Sequence, residues 1–307
     1  MVEYNKLGII AAIFGVLYGN TPYAAEESEG NEESAKTLET VSVVGRGQTR
    51  QVTTLTSADL ADAASGTSPL KVLSKLPGVN FSSADSLGAY EWGSRISMRG
   101  FNQNQLGFTL DDVPLGDMSY RNFNGLHISR AITSENIGKI LVSQGVGALA
   151  TASTSNLGGT IQFYSLDPAD KTGGKIEQSF GEYATLHTFA RFDSGLLGNS
   201  NTKFSVSIAD HGQDKWKGDG EQKYTQVNSK LVSTFDKGKF SLFMNWSDRR
   251  EADYMDLSKD SIRRLGYNWD YYAPHWNTAI NSAKGIWGSG ETSEDDAYFN
   301  GSGLRDD

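Results

Sequence analysis

Three groupings of residues in this sequence have types and spacings that suit chemistry. Gly145-Val146-Gly147-Ala148-Leu149-Ala150 follows the strand-like run Ile140-Leu141-Val142 and matches G-x-G-x-x-A, with Asp167 twenty residues beyond Gly147. That is the layout of a dinucleotide fingerprint, in which a helix starting at the glycines holds a pyrophosphate at its N-terminus. Asp111-Asp112 places two carboxylates together, the material of acid–base catalysis. His127, His187, His211 and His275 are candidate metal ligands.

Each grouping needs an element to position it, and the surrounding sequence does not provide one. After Ala150 the chain reads Thr151-Ala152-Ser153-Thr154-Ser155-Asn156-Leu157-Gly158-Gly159, which cannot sustain a helix long enough to cover a sheet, and no repeating βαβ units follow. Adjacent aspartates on a strand point to opposite faces, so Asp111 and Asp112 beside Val113-Pro114 read as a turn. The four histidines are too far apart for helical metal-ligand spacing. There is no G-x-S-x-G elbow and no P-loop, and the absence of cysteine removes thiol catalysis, thiolate metal sites and disulfides. The expectation is a protein that is not an enzyme and holds no cofactor or metal. A net charge of −9 argues against a nucleic-acid partner.

The composition points to β-structure: 34 glycines, 13 tyrosines and 6 tryptophans against 6 prolines, with only 37% hydrophobic residues. At the N-terminus, Lys6 precedes an apolar run from Leu7 to Gly19, followed by the small residues Ala24-Ala25. That run is shorter than the about 20 residues of a membrane-spanning helix and suits a secretory signal, assigned to residues 1–25. Residues 26–51 read as a flexible leader, acidic at first, that contains the isolated strand-like stretch Glu39-Thr40-Val41-Ser42-Val43-Val44.

Regular structure is expected from near Ser57, with Gln48 to Thr56 a polar continuation of the leader. Ser68-Pro69 opens a helix over Leu70 to Leu76, stopped by Pro77-Gly78. Short strands at Ile96–Met98, Phe108–Leu110, Ile140–Val142 and Thr160–Phe163 then complete a compact α+β domain over residues 52–168.

Beyond it the pattern changes to long alternations. Phe204, Val206 and Ile208 alternate with Lys203, Ser205 and Ser207, and Phe240, Leu242, Met244 and Trp246 with Lys239, Ser241, Phe243, Asn245 and Ser247. Val227, Leu231 and Phe235 share a third face, and Ala184, Leu186, Ala190 and Phe192 a fourth. Strands of about 9–11 residues with one apolar and one polar face suit an outer-membrane barrel. A tight turn at Phe235–Lys239 against a longer charged loop at 211–223, and a longer one from 249, is its alternation of connections.

Four ordered segments carry a family resemblance: Arg95-Ile96-Ser97-Met98-Arg99-Gly100-Phe101, Leu110-Asp111-Asp112-Val113-Pro114-Leu115, Ile137 to Gly145, and Asn156-Leu157-Gly158-Gly159-Thr160-Ile161. Together with Leu76-Pro77-Gly78-Val79 they resemble the signatures of the plug domain of TonB-dependent outer-membrane receptors. Two departures are Asp112, where the family usually has glycine, and Ser143-Gln144-Gly145-Val146, where it has Arg-Gly-Pro. The resemblance implies an α+β plug domain followed by antiparallel transmembrane β-barrel strands, the barrel incomplete in this chain. A barrel of roughly 22 strands needs several hundred residues, whereas residues 169–307 hold five visible strands and a long extracellular loop from 249, so a fragment is expected.

The same resemblance makes Glu39 to Val44 a TonB box, an unpaired strand able to add to the sheet edge of a partner; an ordinary first strand of the plug is the other reading. The implied partners are the TonB–ExbB–ExbD complex, outer-membrane lipid and a small ligand. The implied location is the outer membrane of a Gram-negative cell. First ligand contacts are expected on exposed plug loops, at Tyr90, Trp92, Tyr120, Arg121, Asn122 and Asn124. Tyr254, Tyr267, Trp269 and neighbouring aromatics would either stack on a ligand or pack their own loop. A ferric siderophore is the expected cargo, with oligosaccharide or cobalamin uptake, or a surface binding module without transport, as alternatives.

Overall fold

A computed structural model describes residues 52–118, 125–145, 151–153, 155–198, 200–270, 277, 280–281 and 284–288. The leader, with its candidate signal segment and Glu39 to Val44, lies outside these residues. So do Tyr120, Arg121, Asn122, Asn124 and Val146 to Ala150.

The first domain carries eight strands. They are β1 (Val52–Thr56), β2 (Val79–Ser82), β3 (Arg95–Met98), β4 (Phe101–Asn102), β5 (Leu106–Leu110), β6 (Val113–Gly116), β7 (Ile137–Gln144) and β8 (Gly159–Ser165). Five of them form a mixed sheet in the order β1-β7-β8-β5-β6, and β2, β3 and β4 form a small second one. In the larger sheet the β5–β8 pair is parallel and the others are antiparallel. Both faces of its centre are covered, which is why β5 is a continuous buried run, Leu106-Gly107-Phe108-Thr109-Leu110. The short helices are α1 (Ser57–Ala61), α2 (Pro69–Leu73) and α3 (Ile128–Ala131). Phe108, Ile140, Ile161 and Phe163 are fully buried with Leu70, Leu73, Ile128 and Ile132. Each such large side chain contributes about 1.5–3 kcal/mol.

The second body is an antiparallel wall of five consecutive strands. These are β9 (Thr172–Phe180), β10 (Leu186–Ser194), β11 (Thr202–Asp214), β12 (Glu221–Phe235) and β13 (Gly238–Glu251). It does not close: β9 and β13 are its edges. Its faces are segregated as the alternation predicts. Ser205, Ser207, Ala209, His211 and Gln213 of β11 are buried on one face, as are Gln222, Tyr224, Gln226, Asn228, Lys230 and Val232 of β12. Val206, Phe240, Leu242, Met244 and Trp246 on the opposite face are exposed by 41 to 61%. A sheet that hides its polar side and shows its apolar side is inverted relative to one in water. Among the described residues no helix is long and apolar enough to cross a membrane.

Several expectations are corrected. Residues 52–56, expected to continue the polar leader, form a strand instead: Val52-Thr53-Thr54-Leu55-Thr56 pairs with β7, and as an edge strand it buries only Leu55, so it reads as polar. The helix after Ser68 stops at Leu73, and the residues up to Leu76 are turns. The loop at 211–223 shrinks to 215–220 because β11 and β12 continue to Asp214 and Glu221, where polar residues still pair across the ladder. Similarly β13 runs to Glu251, and Ala184 sits in a turn at φ 51° rather than on β10. Strands β11, β12 and β13 are 13, 15 and 14 residues long, beyond the expected span. The loop after β13 carries an unforeseen helix, α4 (Lys259–Leu265).

Candidate functional site

Two of the motif segments are hairpin turns of one kind. Arg99 (φ 50°) and Gly100 (φ 85°) lie between the paired Met98 and Phe101, and Asp111 (φ 48°) and Asp112 (φ 66°) between the paired Leu110 and Val113. Two-residue loops with both central φ positive match the twist of the flanking strands. For residues other than glycine this backbone costs about 1–2 kcal/mol, least for Asp and Asn. Hydrogen bonds offset the cost at the aspartates. The Asp111 carboxylate accepts from the Ser165 N–H at 2.9 Å and from its hydroxyl, and the Asp112 carboxylate from the Tyr164 hydroxyl at 3.1 Å. The pair therefore ties the β5–β6 hairpin to the end of β8 and is not a catalytic dyad. Burial and the Asp112 carboxylate push the Tyr164 phenol up. The positive φ at position 112 also explains why glycine suits it.

The Arg99 turn is bound to β7. Its N–H donates to the Gly78 carbonyl at 2.7 Å, and its Nε to Gln144 Oε1 at 2.9 Å, while Gln144 Nε2 donates to the Pro77 carbonyl. Arg95 donates to the Trp92 and Ser94 carbonyls at 2.7 Å. The β7–β8 corner closes with the Gly145 N–H donating to the Gly158 carbonyl at 3.1 Å, and Phe101 packs against Gly158 and the core. Thr151 to Ser153 are not helical.

The loop bearing Tyr90 and Trp92 is organised by Asp85, whose buried carboxylate accepts from the N–H groups of Leu87, Ala89 and Tyr90 at 2.9–3.1 Å. Tyr90 is 2% exposed, which corrects its expected role as an exposed contact. It is covered by the chain after β13: its ring meets Tyr254 edge-on at 5.5 Å and its hydroxyl donates to Asp253. Burial, then Asp253, pushes its phenol upward. Trp92 is half-buried. Beside this loop Arg130 pairs with Glu91 at 2.6 Å, and Arg249 of β13 donates to the Ser129 carbonyl at 2.6 Å. His127, before α3, accepts at Nδ1 from Ser129; burial, assisted by the Arg249, Arg130 and Arg95 charges and opposed by Glu91, brings it down to about 4.

Between the two bodies lies a polar contact that no single stretch of sequence announces. Asn136 Nδ2 donates to Ser207 Oγ at 2.7 Å and Asn228 Oδ1 at 3.0 Å, and Asn136 Oδ1 accepts from Arg191 at 2.8 Å. Asn245 Nδ2 and Gln226 Nε2 both donate to the Arg130 carbonyl. Glu135 Oε1 accepts from Ser65 Oγ at 2.6 Å, the Gly66 N–H at 2.7 Å and His187 Nε2 at 2.9 Å. Burial would raise this carboxyl, but the bonds from His187 and Ser65 outweigh it and bring it down to about 2. His187 and His211, distant in sequence, are cross-strand neighbours with ring centroids 5.7 Å apart. A signal for this contact existed: the inward positions carry His, Arg, Asn and Gln, side chains that need partners when buried.

The connecting segment is fastened to the same wall, with Asp167 paired to Lys230 at 2.7 Å and to Lys239. Lys215 pairs with Asp270 at 2.7 Å, both buried. Around them Trp216 packs on Tyr254 and Tyr267 at 6.1 and 5.3 Å, so Tyr254 packs its own loop, while Tyr267 remains 64% exposed.

The family model of the TonB-dependent receptor plug domain matches residues 45–160. The chain is similar to the pyoverdine outer membrane receptor FpvA from Pseudomonas aeruginosa PAO1 bound to pyoverdine. Identity is 16% and the TM-score 0.52, over 65% of this chain and 28% of that one. It is also similar to FpvAI in its complex with pyocin S2, at 20% identity and a TM-score of 0.52 over 66% and 25% of the two chains. At these identities the likeness is one of fold, and the chain spans about a quarter of the length of those structures. No curated protein matches it.

Proposed function

Because residues 45–160 belong to the plug-domain family of TonB-dependent receptors, we propose that this chain supplies the plug and first barrel strands of an outer-membrane receptor for active uptake of a scarce ligand. The observation that carries the reading is the inverted wall: its polar face is hydrogen-bonded to the plug and its apolar face is bare. Such a sheet suits lipid on one side and a filled lumen on the other. A ferric siderophore is the favoured cargo, in keeping with the pyoverdine receptor among the similar folds. Exported by residues 1–25, the receptor would reside in the outer membrane. Ligand would bind from outside near Trp92, Tyr267 and the segment from Tyr120 to Asn124. The stretch Glu39 to Val44 would then pair with TonB, driven by ExbB and ExbD.

Deleting residues 39–44 in the receptor as expressed in cells should abolish energised siderophore uptake and leave surface binding unchanged. Uptake that survives the deletion refutes the box, and loss of binding with retained folding refutes the division of labour.

A further inference from the structure

Residues 52–66 make up β1, α1 and the turn into Gly66, a thinly packed limb held along its length by the β1–β7 ladder and by Leu60 and Ala63 resting on the core. The edge strand β1 buries one side chain, Leu55, and α1 buries none. A cleft of about 320 Å³ lies beneath α1, with Ala58, Ala61 and Ala64 on the limb side and Lys175 and Glu177 of β9 opposite. By contrast, Leu106, Phe108, Ile161 and Phe163 at the sheet's centre are fully buried.

The far end of this limb is fastened at Ser65 and Gly66, chiefly through one carboxylate oxygen. Glu135 Oε1 gathers Ser65 Oγ, the Gly66 N–H and His187 Nε2 within 2.6–2.9 Å, so one oxygen joins the limb, the turn after α3 and wall strand β10. Ser179 of β9 adds a bond from its hydroxyl to the Ser65 carbonyl at 3.0 Å. Gly66 rests on the imidazole: with φ at +87°, a Cβ there would fall 2.8 Å from His187 Cγ. Beyond it the chain is anchored again, since Thr67 and Ser68 are buried and the Ser68 N–H donates to the Leu87 carbonyl at 2.8 Å. The limb thus has a hinge at Gly66 and a fastening beside it. His187 is itself held by its surroundings, with the Tyr224 hydroxyl 3.5 Å from Nδ1 and His211 alongside.

We propose that Glu135 and His187 form a latch, and that residues 52–66 open as a unit, separately from the rest of the plug, when the latch is broken. Opening widens the cleft between α1 and β9 into a gap beside the wall while β5, β7 and β8 stay folded. Its use in transport rests on the uptake reading above, in which force applied at residues 39–44 reaches Val52 first. The opening itself does not depend on that reading.

The test is peptide-resolved hydrogen exchange on the detergent-refolded chain, comparing E135Q, H187Q, their double variant and S65A. Exchange in residues 52–66 should rise tenfold or more in E135Q and H187Q, while residues 106–110 and 159–165 remain unchanged. The double variant should exchange no faster than the faster single one, because both act on the same Glu135–His187 contact. S65A should show a smaller rise confined to the same limb, and it decides the matter if the other variants do not refold. Unchanged exchange in the limb, equal acceleration of residues 106–110, or an additive double variant would overturn the latch. Since no uptake is measured, failure of the transport reading leaves this outcome standing, and the reverse also holds.

Discussion

Substituting Gly159 and Gly100 by alanine separates two demands that the motif glycines meet. Both have positive φ, +132° and +85°, so both substitutions strain the backbone. A Cβ at Gly100 would meet nothing within 4 Å, and Gly100→Ala should cost only about 1–2 kcal/mol of left-handed backbone strain. At Gly159 the added Cβ would lie 2.2 Å from the Ser143 carbonyl oxygen and 2.7 Å from Met98 Cε. A tolerable carbon–oxygen contact is about 3.3 Å, so β7 and β8 must separate by roughly 1 Å at the corner where Gln144 opposes Gly159. Backbone strain of about 1–3 kcal/mol and overpacking of about 1–3 kcal/mol then add to about 2–6 kcal/mol. That is a large share of the about 5–15 kcal/mol that stabilises a domain. Urea midpoints read by pulse proteolysis of the plug should place Gly159→Ala below Gly100→Ala by about 0.5 M or more, given a slope of about 1–3 kcal/mol per molar. Equal midpoints, or a worse Gly100→Ala, would show that the close approach at the β7–β8 corner is not what position 159 demands.

Other perturbations test other parts of the structure. His127 is held below its ordinary range, at about 4 against 6.5, so its neutral form stabilises the plug fully above pH 6.5 and the contribution is lost as pH falls toward 4. The loss is on the order of 3 kcal/mol; His127→Asn should flatten stability between pH 7 and 4.5, and parallel pH profiles for the two proteins would refute the assignment. Met244, 61% exposed in mid-β13, tests the lipid face: Met244→Arg should lose about 2–4 kcal/mol in a bilayer. A surface facing water would register about 0.5 kcal/mol or less, and that result would exclude the barrel reading.

What the sequence revealed follows the range of the interactions concerned. The alternation of Phe204, Val206 and Ile208 is local, and so are the hairpin at Phe235 and the turn at Asp111-Asp112; each was legible because neighbours in the chain determine it. Tyr90 was misjudged because its cover, Asp253 and Tyr254, arrives from the far end of β13. The Glu135–His187 pair and the Asn136–Asn228 contact likewise join distant segments. Val52 to Thr56 was missed for a different reason: an edge strand that buries one side chain has almost the composition of the leader before it.

The distribution of polar and apolar contacts has a mechanical consequence. Inside the plug, separating β5 from β8 would expose Leu106, Phe108, Ile161 and Phe163, at about 1.5–3 kcal/mol each. Between plug and wall the contacts are mainly hydrogen bonds, each worth a net of about 0.5–1.5 kcal/mol because water replaces the lost partner. Charge follows the same division. Arg130 keeps Glu91 on the plug, and Arg191 and Arg249 keep Asp193 and Glu251 on the wall. Separation therefore strands none of these charges, avoiding the penalty for an uncompensated buried ion. Asp167, in the connecting segment, stays with Lys230 and Lys239 where the chain enters the wall. Among the described residues Glu135–His187 is the ion pair that joins the body of the plug to a wall strand. A plug built this way resists unfolding more than it resists displacement, and the resistance to displacement is spread over the Asn136, Arg130 and Ser129 contacts as well as the fastening of its thinly packed limb.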